Sequence, residues 1–175
     1  MSPARSSRHS PTDGTPSYDA PMFPLRTVVL GAFVPTGIVE VGMGAMLPII
    51  APSVVSLGSS LKVAAFVAAM LPVGKILADI PAGAMAARLG DRLAMIVAGG
   101  VAAAGFVLAG LAPNIAVLAG AILEVGAASA VFNLARHSYL TEITPPLRRA
   151  RVLSTLAGVH RIGQFIGPFI GALVV

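Results

Sequence analysis

The chain has 175 residues, 56% of them hydrophobic and only 11% charged, with a net charge of +5 and no cysteine. That is too apolar and too charge-poor for an ordinary water-soluble domain, so lipid is the expected solvent. A disulfide framework and a thiolate metal site are excluded, and His9, His137 and His160 are too dispersed to supply ligand spacing, so neither a metal nor a cofactor is expected.

Residues 1–25, rich in Pro, Ser and charge, cannot bury enough apolar surface to offset the entropy of ordering, and read as a disordered tail. They are no secretory signal, since the apolar run that follows is longer than a signal's core and further spans come after it. From there on, residues 26–175 read as one transmembrane domain. Its first apolar run, about 27–50, contains Glu40, Pro35 and Pro48. A joint of Pro, Ser and Gly leads to a second run, about 61–87, with Lys75 and Asp79, which Arg88-Leu89-Gly90-Asp91-Arg92 closes. Residues 93–123 carry no charge, but Ala112-Pro113-Asn114 is a turn signal that divides them into a third helix, about 93–112, and the start of a fourth, about 115–134. A polar joint over 136–151 precedes a fifth run, about 152–175.

Each crossing needs roughly 20 apolar residues, so this length holds five, whereas twelve would take about 240 residues in the helices alone. Runs of Ala, Gly, Val and Leu at that length favour helices over the short alternating strands of a membrane barrel. The expected fold is therefore an all-α integral membrane bundle of about five helices.

Basic residues set the orientation. Arg5, Arg8, Arg26, Arg88, Arg92, Arg136, Arg148, Arg149 and Arg151 fall on one side of the alternating spans, and Lys62 alone on the other. This bias predicts a cytoplasmic amino terminus and an external carboxyl terminus in the cytoplasmic membrane. It also accounts for the pI near 10.8 without a nucleic-acid partner.

Five charged residues lie inside the spans: Glu40, Lys75, Asp79, Glu124 and Arg161. A charge at membrane depth is costly unless it faces the bundle interior, a partner or water, which makes each a candidate for function. Glu124 and Arg161 each lie nine residues, about 14 Å, from the ends of consecutive antiparallel spans, so both fall near mid-membrane. Their depth predicts an ion pair, lining a central cavity or serving packing alone. Lys75 and Asp79, four residues apart, can neutralise each other locally. Glu40 has no sequence-local partner; it either exchanges a proton with a cavity or hydrogen-bonds to a neighbouring helix.

Gly163, Gly167 and Gly171 strip one face of the fifth span, and Pro168 bends it. The decapeptide Gly163-Gln164-Phe165-Ile166-Gly167-Pro168-Phe169-Ile170-Gly171-Ala172 resembles the g-x-x-x-G-P-x-x-G-G signature of drug/proton antiporters in the major facilitator superfamily, with Ala172 for the last Gly. Gly83-Ala84-Met85-Ala86-Ala87-Arg88-Leu89-Gly90-Asp91-Arg92 is similar to that family's G-x-L-A-D-R-x-G-R-K joint between helices two and three. In that joint the signature aspartate is Ala87 and the closing Arg-Lys is Asp91-Arg92, while Ile122 stands where the family's fourth helix usually has an arginine.

The resemblance implies the amino-terminal part of a proton-coupled efflux carrier of small molecules. It assigns Glu40, Glu124 and Arg161 to a substrate or proton cavity, and Asp79, Gly83, Arg88, Gly90, Asp91 and Arg92 to a cytoplasmic gating joint. Partners would be the lipid bilayer, a small-molecule substrate and protons. Rival readings are a non-transporting remnant, and a half-transporter whose small-residue face on helix five pairs with a second copy or another membrane chain. An enzyme is not expected: His137, Ser138 and Glu142 lack a Gly-rich elbow or oxyanion-hole motif, and no G-x-x-x-x-G-K-S/T phosphate cradle is present.

Overall fold

A computed structural model describes residues 28–174, and five long helices account for nearly all of them. Helix α1 runs Val29–Ser56, opening with a π-helical turn at Val29–Phe33 before α-helix from Val34; α2 is Leu61–Leu89, α3 Asp91–Gly110, α4 Ile115–Ile143 and α5 Pro146–Val174. No strand occurs among the described residues. The tail expected over 1–25, together with Arg5, Arg8 and Arg26, lies outside them.

Local chemistry sets the breaks. Gly90 joins α2 to α3 at φ 77° and ψ 150°, a region open essentially to glycine, and its N–H donates to the Ala86 carbonyl at 2.9 Å. Asn114 opens α4 by accepting the Val117 N–H at 3.0 Å. The π turn of α1 ends next to Pro35, which has no N–H to continue the ladder.

The polar joint expected over 136–151 is corrected. Helix α4 continues through it to Ile143, and α5 begins at Pro146. Only Thr144 and Pro145 separate them, with Thr144 extended because a residue before proline is driven out of the α region. Polarity had stood in for a loop, but Arg, His, Tyr and Glu are tolerated in a helix whether or not lipid surrounds it.

Helices α1 to α4 are long and apolar enough to cross a membrane. Helix α5 matches them in length but is diluted by His160, Arg161 and Gln164. Large apolar side chains point outward along the helices, among them Leu30, Ile38, Ile76, Ile80, Phe165 and Phe169, as expected of a surface that lipid solvates. The main core gathers Met43, Ile50 and Val54 of α1, Val67 and Leu71 of α2, Ala98 of α3 and Ile122, Val125 and Phe132 of α4.

Two of the three main pairings join helices that are not consecutive, α1 with α5 and α2 with α4; the third joins the consecutive α3 and α4, while α4 and α5 scarcely touch. Glycines explain the pairing. A side chain at Gly163 would meet Glu40 Cβ at 2.7 Å, and one at Gly167 would meet Gly44 Cα at 2.6 Å; at Gly171 it would strike the backbone of Ala45. Gly74 and Gly126 do the same for α2 and α4, where each lies against the other helix's backbone at Leu123 and Leu71. The small-residue face of helix five is thus occupied by α1 and is not a free pairing surface.

Candidate functional site

Where α1 and α5 close on each other, four polar side chains meet a fifth from α4; Thr36, Glu40 and Arg136 are buried, His160 is half-buried and Gln164 is exposed. Thr36 and Glu40 occupy successive turns of α1, and His160 and Gln164 successive turns of α5; Arg136 enters from α4. Glu40 and Arg136 are both only 3% exposed. Glu40 lies eleven residues from the start of α1, about 17 Å along it, and His160 is at the centre of α5.

The carboxylate of Glu40 organises the cluster. Its Oε1 is 2.7 Å from His160 Nδ1, off the angle of a hydrogen bond, and 3.8 Å from Arg136 Nη1; its Oε2 accepts from Gln164 Nε2 at 3.3 Å. Arg136 Nη1 also donates to Thr36 Oγ1 at 3.2 Å, and that hydroxyl donates to the Ala32 carbonyl at 2.6 Å. The guanidinium lies over the Phe132 ring, 5.8 Å from its centroid. Arg136 Nε has no partner, so the cation retains an unused donor inside the protein.

Phe132 also lines a cavity of about 650 Å³ between α1, α3 and α4, with Pro35, Val39, Met95, Arg92 and Tyr139 among its walls. Gly31, next to Leu30 in α1, lies against the Tyr139 hydroxyl, and Leu89, Arg92, Tyr139 and Glu142 share a neighbouring pocket. The start of α1, the α2–α3 joint and the α4–α5 joint therefore meet at one end of the bundle.

Several expectations are corrected by this geometry. Glu124 and Arg161 form no ion pair: Glu124 lies against Ala103, Ala104, Val107, Leu108 and Leu111 of the α3 region, and Arg161 is exposed. Matching depths were not enough, because α4 turns its Glu124 face to α3 while α5 packs on α1. Lys75 and Asp79 also form no ion pair, and Asp79 is exposed. Arg136, counted among loop arginines, is instead the buried cation. Of the three cavity candidates only Glu40 sits in the cluster. The joint residues Gly83, Arg88, Gly90 and Arg92 are exposed, and Asp91 begins α3, where an acid favours the helix dipole.

Sequence reasoning missed Thr36, Arg136, His160 and Gln164. The available signal was polar pairing at four-residue spacing in otherwise apolar helices, Thr36 with Glu40 and His160 with Gln164, which puts each pair on one face. The family profile described as Major Facilitator Superfamily matches residues 31–175, which includes every residue of the cluster. Comparison with curated proteins gives no match.

Proposed function

The chain belongs to the Major Facilitator Superfamily, and from that premise we propose that it serves proton-coupled secondary efflux of a small molecule, with Glu40 as the proton-exchanging group. Membership itself carries membrane transport by a multi-pass helical protein; the coupling ion, the direction and the residues are the proposal.

One observation supports it above the others. A carboxylate buried in mid-helix is held between a permanent cation, Arg136, and a group that is cationic only when protonated, His160. Such an acid can exist as an ion paired to arginine or as a neutral carboxyl group, and the two forms place different demands on the surrounding helices. Interconversion then ties proton binding to helix arrangement, the step that any coupled carrier needs. The arrangement favours Glu40 over Glu124 and Arg161, which have no such partners.

Orientation is proposed on the same footing. Arg88, Arg92, Arg148, Arg149 and Arg151 lie in or beside joints at one end of the bundle, and the positive-side rule would put that end in the cytoplasm even without Arg136.

The test uses the full chain in proteoliposomes with ethidium as the transported probe and an imposed pH gradient. Gradient-dependent ethidium movement is expected, abolished by a protonophore and in Glu40→Gln. Movement that ignores the gradient, or survives Glu40→Gln at the wild-type rate, contradicts the proposal.

A further inference from the structure

Resting on that reading of Glu40, we infer that His160 is the relay through which protons reach and leave the Glu40 carboxylate. Glu40 and Arg136 side chains are each 4% exposed, so water has almost no direct approach to the acid, and a guanidinium does not release a proton. The His160 side chain is 35% exposed. Its Nδ1 is nevertheless fully buried and lies 2.7 Å from Glu40 Oε1, so the exposure belongs to the rest of the ring. The imidazole spans the wall of the cluster, with Nδ1 against the acid and the rest of the side chain partly open to whatever surrounds the bundle at that depth.

That placement matches what imidazole chemistry supplies. The ring accepts a proton on one nitrogen while the other gives one up, and it does so without large motion. In the inward step the N–H bond at Nδ1 breaks and an O–H bond forms at Glu40 Oε1. Nε2 takes a proton from outside, and the ring ends neutral as the other tautomer. Outward release runs the same bonds in reverse. The charged and titratable groups around the ring are Glu40 from α1, Arg136 from α4, and on α5 itself the exposed Arg161. Gln164 holds the other carboxylate oxygen and cannot relay, since an amide does not exchange protons in this range. Nδ1 lies within hydrogen-bonding distance of Oε1 but makes no hydrogen bond in this arrangement, so the transfer needs the ring to reorient.

The test is time-resolved infrared spectroscopy of the full chain in lipid nanodiscs after a pH jump, following the carboxylic-acid C=O band assigned to Glu40 by its loss in Glu40→Gln. In His160→Ala the band should appear on the order of 100-fold more slowly, the usual contribution of a positioned acid–base group. Added imidazole should restore the rate, whereas pyrrole, which has no basic nitrogen, should not. His160→Gln, which keeps a polar side chain in the gap, should be equally slow and so covers any folding loss in the alanine variant. An unchanged rate in His160→Gln, or a slow rate in His160→Ala that imidazole leaves slow, overturns the relay. Absence of any Glu40-dependent band in the unsubstituted protein would instead remove the proton-exchange reading on which the relay rests.

Discussion

The α1–α5 seam and the α2–α4 seam solve the same packing problem with different contents. Both bring backbones together through glycine, Gly163, Gly167 and Gly171 in one and Gly74 with Gly126 in the other. The α2–α4 seam is filled by groups such as Val67, Leu71, Ile122 and Val125, and the buried hydroxyl of α4, Ser129, is satisfied locally by the Gly126 carbonyl at 2.7 Å. The α1–α5 seam encloses a carboxylate and admits a guanidinium. Close approach of two helices therefore does not require charge in this bundle. Glu40 and Arg136 sit where apolar groups would pack at less cost, which is why the proposed function is centred on them.

The sharpest break in the comparison is Arg136→Ala. Leaving Glu40 buried without its permanent cation should cost about 3–5 kcal/mol, read as a lower unfolding midpoint in detergent. Arg136→Gln combined with Glu40→Gln should recover much of that loss, and strictly additive penalties would contradict a coupled pair. Gly126→Leu should come next, at about 3 kcal/mol, because overpacking forces two backbones apart; Gly167→Leu should match it, showing that the glycine contacts of the two seams are equivalent. Ser129→Ala should cost only about 1 kcal/mol, the worth of one neutral hydrogen bond, against the larger loss at Arg136. Smallest of all, Glu124→Gln with Arg161→Gln should leave the midpoint within about 0.5 kcal/mol and behave additively. A coupling energy between those two would restore the pair that the geometry separates.

The all-helical membrane bundle was legible in the sequence because lipid allows few alternatives to runs of apolar residues at this length. The turn at Pro113-Asn114 was legible because it depends on local backbone chemistry, whereas the second helix, expected to end near residue 87, runs on to Leu89 before Gly90 stops it. Glu40 could be named as a candidate from burial cost alone. Its partners could not, because they come from α4 and α5 at sequence separations near 100 and 120 residues, and the α1–α5 pairing follows glycine faces instead of chain order. Arg136 was hidden by its neighbours: His137, Ser138 and Glu142 made the whole stretch look like a solvated joint. The glycine stripe on α5 was readable, but its partner was not, and that partner is what brings His160 and Gln164 to Glu40.

Because the chain has no native cysteine, helix pairing can be tested by introduced thiols without a background. A side chain at Gly37 has room and would lie 3.8 Å from the Val159 side chain, one turn from the Glu40 cluster. Gly37→Cys with Val159→Cys should therefore oxidise readily within one chain in native membranes, seen as loss of two free thiols and of two mass units in the intact protein, while Glu124→Cys with Arg161→Cys stays reduced. The reverse pattern, with the second pair joined and the first free, would contradict the α1–α5 seam and the buried site built on it.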